Sequence, residues 1–504
     1  MNRRDFLYAS AASTILAGAG VRAQSYSTVP VTIHTRQVTG PLNHIWEESV
    51  GSDRAAITLR ESWRRDLEKG VREAGFKRVR FHGIFADELG VLGDSILEMR
   101  RKGGPNWQNV YRVYDGLIEH SVSPFVELSF MPAQLASGKQ AFGFYKANIT
   151  PPKSYQDYGA FIRQFIVALV DRYGLAKVRT WPMEVWNEPN LRFFWTGDQA
   201  SYFELYRAAA TAIKSVDPGL QVGGPSTSQT AWLSEFSRFA ADNNLPINFF
   251  GTHAYAGDNQ TELFGKGSAL PINDVIPAAL KQARAKIDAG PFAGRPLMLS
   301  EWSSDSPAMI AHVVKESMPF AQALSHWVLS GTYEELGPDD FILKEGSMGW
   351  PLMSDQIARP SFNTYALLHR LGEERLAADG PALASRRDGR HVSALVWNLA
   401  ETQQPGGIPG MTSERNVMGD TRHLEVNFRG TRGGQRVRIS YVDWERGSPM
   451  PAWRKMGSPK YPSRPQVEQL RLASKIPSIA GSLDKNGRIT VELPPEGVAL
   501  IEFV

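Results

Sequence analysis

The hydrophobic and polar positions along the chain follow two periods, one typical of helices and one typical of strands. The clearest helix is predicted between Ser154 and Gly174, where apolar side chains recur on one face. Glu61 to Ala74 is also predicted to be helical, with Gly75 as its stop. Further helices are predicted over Tyr111–His120, Ser201–Val216, Val275–Ala289 and Thr364–Leu371. Eight short apolar runs between the helices predict buried strands, at Ile45–Val50, Arg78–His82, Pro124–Phe130, Met183–Asn187, Leu220–Gly223, Ile247–His253, Pro296–Glu301 and His326–Thr332.

This alternation of strands and helices predicts an α/β fold built from parallel βα units. Eight such units predict a closed (β/α)8 TIM barrel over residues 41–372. A doubly wound sheet is the weaker alternative, because no glycine-rich phosphate turn follows the first strand. Beyond Gly372, short strands divided by Gly- and Pro-rich turns predict a C-terminal β-sandwich domain over residues 373–504. Residues 24–40 contain an edge strand, Val29–Val38, which is expected to join that sandwich.

The first 23 residues are predicted to be a twin-arginine signal peptide. Arg3 and Arg4 precede Asp5-Phe6-Leu7 and a mildly apolar run. Val21-Arg22-Ala23 offers a cleavage site, so the mature chain is expected to begin near Gln24. A basic N-terminal helix would also explain the pattern. We expect export by the twin-arginine route to the periplasm or the medium.

The overall composition removes several classes of function. Apolar residues make up 42% and charged residues 21%, which is ordinary for a globular enzyme. The net charge of +4, part of it in the predicted leader, gives no reason to expect nucleic acid or an anionic membrane as a partner. The chain has no cysteine, which excludes disulfides, cysteine-ligated metals and thiol nucleophiles. No ligand spacing of the His-Glu-x-x-His kind is found among its ten histidines, so we expect neither a catalytic metal nor a cofactor.

Two carboxylates are predicted at the ends of barrel strands. Glu188 follows the fourth strand, and Glu301 follows the seventh. Catalytic residues of α/β barrels lie at these carboxyl ends, although an ordinary polar turn would also explain Glu188. A retaining glycosidase needs two such groups about 5 Å apart, one a proton donor and the other an ionised nucleophile. Strands four and seven lie across the barrel mouth from each other, so the pair can face one sugar.

The residues around both glutamates resemble a known family. Trp186-Asn187-Glu188-Pro189-Asn190 and Ser300-Glu301-Trp302 are similar to the acid/base and nucleophile motifs of the clan A glycoside hydrolases. The closer resemblance is to glycoside hydrolase family 39, and to its β-xylosidase branch in particular. Other similar stretches are Pro41-Leu42-Asn43, Val79-Arg80-Phe81-His82-Gly83, Pro151-Pro152-Lys153 and Tyr333-Glu334-Glu335. The resemblance covers about residues 40 to 372 and does not extend to the C-terminal domain.

The resemblance implies a role for each candidate site residue. Glu188 would be the general acid/base and Glu301 the nucleophile. Asn187 would hydrogen-bond the sugar 2-hydroxyl. His253 and Tyr255 would lie beside the nucleophile, and the Tyr255 hydroxyl would donate to Glu301. Further implied contacts are those of His82 and Glu335 with other sugar hydroxyls, of Trp327 with the sugar face, and of Arg80 with the nucleophile.

Several of these residues also have a purely structural explanation. His82 and His253 are explained equally as hydrogen-bonded core histidines, and Trp327 as barrel packing. Glu334 and Glu335 point opposite ways on a strand, so only one can face the pocket, and the family pattern favours Glu335. Glu127 and Glu184, on the third and fourth strands, are expected to form buried pairs inside the barrel.

The family resemblance implies hydrolysis of β-xylosidic linkages at non-reducing ends by double displacement. The loops Ala256–Ile272 and Leu336–Gln356 are long, which favours an exo-acting pocket over an open groove. Because such loops set the subsites, another sugar remains open: an arabinoside, a glucoside, a galactoside or a uronide. Two further functions compete with this one, that of an endo-acting exopolysaccharide hydrolase and that of a non-catalytic sugar-binding barrel. The pair of glutamates speaks against the non-catalytic barrel.

Overall fold

The computed structural model describes residues 27–93, 104–330, 351–403 and 416–504. The predicted signal peptide, Glu334 and Glu335 lie outside the described residues, as does most of the predicted loop after the eighth strand. Among the helices that are described, none combines the length and apolar content that a membrane span requires.

Eight parallel strands close into a barrel, which confirms the predicted TIM barrel. The strands up to residue 358 are β1 (Ser27–Pro41), β2 (Val50–Arg54), β3 (Arg78–His82), β4 (Ser123–Leu128), β5 (Ala141–Phe142), β6 (Ala147–Asn148), β7 (Pro182–Val185), β8 (Gln221–Thr227), β9 (Phe249–His253), β10 (Leu297–Trp302), β11 (Ala323–His326), β12 (Met353–Ser354) and β13 (Ile357–Ala358). The barrel strands follow one another in the order β2-β3-β4-β7-β8-β9-β10-β11, and β11 pairs with β2 to close the barrel.

The predicted bounds of the first and last barrel strands are wrong. Ile45 and Glu47 form a turn, with N–H bonds to the carbonyls of Asn43 and His44, and the strand begins only at Val50. The apolar side chain of Ile45 is buried although its backbone is in a turn and not in a strand. An apolar run in the sequence does not distinguish a buried turn from a buried strand. At the other end of the barrel, β11 stops at His326, the residue at which the eighth strand was expected to begin.

The helices pack around the barrel, and those with a clear start and stop agree with the prediction. The helix Tyr155–Tyr173 begins at Ser154, whose side chain accepts the Asp157 N–H, and the helix Glu61–Ala74 ends at Gly75. The pattern missed six of the described helices, although Ser306 and Pro307 carry a recognisable start for one of them. These are Leu175–Val178, Leu233–Asp242, Gln260–Phe264, Pro307–Ser317, Met450–Lys455 and Arg464–Ala473. The remaining helices are Gln108–Glu119, Gln199–Val216, Val275–Asp288 and Pro360–His369.

The C-terminal strands and β1 form a nine-stranded sheet that encloses a second hydrophobic core, in agreement with the predicted β-sandwich. Its C-terminal strands are β14 (Glu374–Asp379), β15 (Ala382–Arg387), β16 (His391–Trp397), β19 (Arg422–Arg429), β20 (Arg436–Val442), β21 (Ser478–Ser482), β22 (Arg488–Leu493) and β23 (Val498–Phe503), with a separate pair β17 (Glu401–Gln403) and β18 (Asn416–Met418). The predicted strand Val29–Val38 lies within β1 and joins the sheet as expected. Its prediction as an edge strand is wrong, because β1 pairs in parallel with β19 on one side and antiparallel with β14 on the other.

Candidate active site

Glu188 lies at the carboxyl end of the barrel, three residues beyond β7. Its N–H donates to the carbonyl of Ser226 at the end of β8, at 2.9 Å, and its own carbonyl accepts the Leu191 N–H. Glu188 and Trp186 both have positive φ, 41° and 71°, a conformation that non-glycine residues adopt only where their surroundings impose it. The loop is therefore held in a strained shape that turns the Glu188 side chain into the barrel mouth.

Glu301 lies in β10 and faces the same mouth. It pairs in the ladder with His253 of β9, which brings that imidazole beside both carboxylates. One oxygen of Glu188, one oxygen of Glu301 and a ring nitrogen of His253 lie within 4.8 Å of one another. Retaining glycosidases place their carboxyl groups about 5 Å apart, whereas inverting ones need about 6.5–9.5 Å for a water. The observed separation matches the retaining geometry.

Arg80 of β3 holds the carboxylates of the barrel interior together. Its guanidinium is fully buried and contacts Glu127 at 2.8 Å, Glu184 at 2.7 Å and Glu301 at 3.2 Å. Burial lowers the pKa of Arg80, but the three carboxylates more than reverse this and raise the pKa above its ordinary value. Arg80 is thus permanently charged, and the predicted buried pairing of Glu127 and Glu184 is confirmed.

Asn187 is the fourth partner of Arg80, whose Nη2 donates to the Asn187 Oδ1 at 2.9 Å. The Asn187 Nδ2 has no hydrogen-bond partner among the described residues, although the residue is only 1% exposed. Arg80 therefore fixes the orientation of the Asn187 amide, whose two N–H donors point away from the guanidinium. A buried, oriented and unpaired donor at this place is available to a substrate hydroxyl.

His82 lies at the end of β3, and its Nδ1 is 2.8 Å from the Glu127 carboxylate. Burial lowers the pKa of His82, but Glu127 outweighs this and raises the pKa above the ordinary value. The centre of the Trp327 ring lies 4.6 Å from that of the His82 ring, and Trp327 is almost completely buried. A Cβ on Gly51 would come within 2.7 Å of the Trp327 ring, so β2 makes room for that ring by having no side chain there. Trp327 therefore packs against β2 and the His82 ring, as the structural explanation of this residue expects.

Tyr255 follows β9, and its hydroxyl donates to Glu301 Oε1. Its backbone N–H donates to Asp258 Oδ2 at 2.8 Å, and the Asp258 N–H returns to the Tyr255 carbonyl. This closed turn orients the phenol towards Glu301. The structure therefore makes the contact that the family resemblance implies for Tyr255.

The environments of Glu188 and His253 move their pKa values in opposite directions. Burial raises the pKa of Glu188 to about 7, which keeps this carboxyl protonated at mildly acidic pH. Burial also lowers the pKa of His253 to about 4, so the imidazole is neutral there. Its Nδ1 lies 2.9 Å from Glu188 Oε1, and its Nε2 has no partner among the described residues. Both are thus uncharged near pH 6.

Comparison with known proteins agrees with this geometry. The sequence model of the glycosyl hydrolases family 39 matches residues 29–490. The chain belongs to glycosyl hydrolase family 39. It is 33% identical to a β-xylosidase from Caldicellulosiruptor saccharolyticus, over 92% of this chain and 95% of the relative. A β-xylosidase from Geobacillus stearothermophilus is 31% identical, with 84% of this chain and 85% of that protein covered.

A solved structure supports the same assignment. The crystal structure of a monomeric β-xylosidase from Caulobacter crescentus superposes with a TM-score of 0.80 at 29% identity, covering 94% of this chain and 99% of that one. This family 39 chain is therefore a glycoside hydrolase with a TIM barrel and a β-sandwich.

Most of the candidate residues of this family 39 hydrolase meet at one place. The structure brings together Glu188, Glu301, Asn187, Arg80, His82, His253, Tyr255 and Trp327. Glu335 lies outside the described residues. The sequence pattern missed Asp258, although an acidic residue closing a turn just after Tyr255 is recognisable. Burial, with a contribution from the charge of Glu188, raises the pKa of Asp258 to about 7.

Glu188, His253 and Glu301 are also close enough to offer ligand atoms to a metal ion. The Tyr255 hydroxyl donates to one Glu301 oxygen, and the fully buried Arg80 guanidinium donates to the other. The positive charge of Arg80 next to Glu301 opposes a second cation. The arrangement suits acid–base and nucleophilic chemistry by the two glutamates themselves.

Proposed function

We propose that this family 39 hydrolase removes β-linked xylose from the non-reducing ends of xylo-oligosaccharides or related glycosides, with retention of configuration. The proposal rests on one observation: a carboxylate oxygen of Glu188 and one of Glu301 lie within 4.8 Å of each other at the mouth of the closed barrel. The choice of xylose rests on the β-xylosidases from Caldicellulosiruptor saccharolyticus and Geobacillus stearothermophilus, which resemble the chain over most of its length.

In the first step Glu188 acts as general acid. Its raised pKa of about 7 keeps the proton that the leaving oxygen receives as the glycosidic bond breaks. The Nδ1–H tautomer of His253 donates to Glu188 Oε1, so the acidic proton resides on the other oxygen. In the second step the ionised Glu188 takes a proton from water, which attacks the glycosyl-enzyme.

Glu301 acts as the nucleophile and attacks the anomeric carbon. Tyr255 donates to one of its oxygens and Arg80 to the other, which fixes the carboxylate plane relative to the sugar. Neither contact blocks the reaction, because each carboxylate oxygen has two lone pairs and uses only one of them for its hydrogen bond. The same two donors stabilise Glu301 as it leaves in the second step.

Asn187, His82 and Trp327 bind the sugar. The unpaired Nδ2 of Asn187 donates to the 2-hydroxyl, a contact that strengthens in the transition state. His82 is proposed to contact a second hydroxyl from the family pattern, and Trp327, whose ring centre lies 4.6 Å from that of His82, to wall the apolar face of the sugar. Glu335 is proposed as a further hydroxyl ligand from the family pattern alone.

A panel of aryl glycosides tests the choice of sugar. The β-xyloside should have the highest kcat/KM among xyloside, arabinosides, glucoside, galactoside and iduronide, each with the same nitrophenyl leaving group. Hydrolysis of an unlabelled xylo-oligosaccharide should release xylose from the start, together with the oligomer shortened by one unit. A higher kcat/KM for another glycoside would mean that its sugar, and not xylose, is the substrate, and early release of oligomers shortened by two or more units would indicate endo action. Glu301→Gln, which keeps the side-chain shape, serves as the inactive control.

We also propose export by the twin-arginine route, on the basis of Arg3, Arg4 and the cleavage site at Ala23. Fusing residues 1–30 to a reporter that folds before export tests this proposal. The reporter should reach the periplasm, and a change of Arg3 and Arg4 to Lys should retain it inside. Export of the lysine variant at the same rate would exclude the route.

A further inference from the structure

Two histidines and a glutamate meet at the base of the barrel, opposite the catalytic carboxylates. His44 and Glu47 lie in the segment just before β2 begins, and His369 is the last residue of the helix Pro360–His369. Barrel helices run against the strands, so a helix end and a strand start lie at the same face. The cluster therefore joins the first and the last βα units, where the barrel closes.

The three side chains converge on one carboxylate oxygen. His44 Nδ1 lies 2.6 Å and His369 Nδ1 2.9 Å from Glu47 Oε1. All three atoms lie within 4.8 Å of one another. Gly75, with φ 69°, makes room for them, because a Cβ there would come within 2.4 Å of the His369 ring. Exposed fractions of 13% for His44, 7% for Glu47 and 39% for His369 leave the cluster sheltered but reachable from solvent.

The imidazole of His44 is already oriented as a ligand. Its Nε2 lies 3.3 Å from the Gly372 carbonyl, to which it donates its proton, and Trp46 stacks on its ring. Release of the proton shared with Glu47 leaves the Nε2 proton in place and presents the Nδ1 lone pair towards Glu47. Metal-bound histidines characteristically donate the other ring N–H to a backbone carbonyl in this way. Lys77 lies 3.9 Å from Glu47 Oε2 but pairs more closely with Glu48, at 2.7 Å.

We propose that His44, Glu47 and His369 form a binding site for one Zn²⁺ ion, separate from the hydrolytic site. Two imidazole nitrogens and one carboxylate are a donor set that zinc prefers, with a fourth position open to water. Bonds of about 2.0–2.1 Å place tetrahedral ligands about 3.3 Å apart. The side chains therefore separate slightly on binding, which the half-exposed His369 at a helix end permits, and the protons shared with Glu47 are released to solvent.

Zinc titration of the full-length, untagged, metal-stripped enzyme tests the site. Calorimetry should give one Zn²⁺ per chain, and Zn²⁺ should raise the melting temperature because it binds only the folded chain. His369→Ala should weaken zinc binding at least about tenfold, and Glu47→Gln should do the same without changing side-chain size. Co²⁺ should give the visible absorption of a four-coordinate site in the wild type and lose it in both variants.

Two control variants locate the ion. His312→Ala removes a histidine that pairs with Asp274 at 2.7 Å but belongs to no cluster of three metal-ligating side chains among the described residues, and zinc binding should be unchanged. Glu188→Gln should also bind zinc as the wild type does. Zinc binding that survives His369→Ala, or that is lost in Glu188→Gln, overturns the proposal, and so does a wild type that binds no zinc at all.

Discussion

The Nδ1 of His253 lies 2.9 Å from the Oε1 of Glu188, and the pKa values of the two residues lie on opposite sides of pH 6. A neutral imidazole does not add positive charge beside the acid. Burial therefore keeps Glu188 protonated, and the His253 imidazole orients the carboxyl by a hydrogen bond. A charged histidine in the same place would favour the carboxylate and remove the proton donor.

The pH dependence of hydrolysis follows from this pair. Glu188 must carry a proton to act as acid, so kcat/KM for a substrate with a poor leaving group should fall as the pH rises through about 7. With a dinitrophenyl leaving group, which needs no acid, the fall near pH 7 should largely disappear. Initial rates at low substrate concentration across the range from mildly acidic to mildly alkaline pH measure both profiles. Identical alkaline limbs for the two substrates would contradict the assignment.

Replacing Glu188 should also change how the free energy of unfolding depends on pH. The pKa of Glu188 rises from an ordinary 4.5 to about 7 on folding, so its contribution to stability is complete below pH 4.5 and is lost as the pH rises through about 7. Glu188→Gln removes this loss and should be more stable than the wild type at about pH 8, by up to about 3 kcal/mol, with little difference at about pH 4. Calorimetric melting at both pH values checks this, with the exposed Glu61→Gln as control. Equal differences at the two pH values would refute it.

Glu188→Ala should separate substrates by their leaving groups. Rates on unactivated xylosides should fall about 10²–10⁴-fold, because proton donation contributes that much. The first step on dinitrophenyl xyloside should change little, and its glycosyl-enzyme should accumulate as a burst because the base for the second step is missing. Stopped-flow measurement resolves the burst. A uniform loss across leaving groups would argue against acid catalysis by Glu188.

Glu301→Gly should lower turnover by a factor on the order of 10⁴ or more, because no covalent intermediate can form. Azide is small enough to enter the space left by the side chain and should restore turnover of activated substrates. The product should be the α-glycosyl azide, of inverted configuration, identified by proton NMR. Glu184→Gly is the matched control, since Glu184 is fully buried and pairs with the same guanidinium. Rescue of the control instead of Glu301→Gly would exchange the two roles.

Arg80→Lys should damage stability and turnover together. Lysine keeps the charge, but one ammonium cannot replace the donors that reach Glu127, Glu184, Glu301 and Asn187. Buried carboxylates left without a partner should lower the free energy of unfolding by about 3–5 kcal/mol. A drop in kcat should accompany this loss of stability. Arg78→Lys, on the same strand but paired with the half-exposed Glu48, should cost less than about 1 kcal/mol. Denaturant unfolding and kcat check both variants, and similar losses in the two would contradict the model of Arg80 as the central cation.

The sequence by itself determined the barrel, the identity of its two glutamates and the family. Periodicity and caps are local properties, so the strand Arg78–His82 and the helix Glu61–Ala74 match the prediction to the residue. The turn at Ile45 and the helix Leu233–Asp242 do not, because burial there depends on what packs against the segment. Only the tertiary structure decided the distances and the pKa shifts: that Glu188 and Glu301 lie within 4.8 Å, that Arg80 joins four side chains, and that burial raises the pKa of Glu188 to about 7. Contacts between residues more than a hundred positions apart, and the dielectric they share, exist only once the barrel has closed.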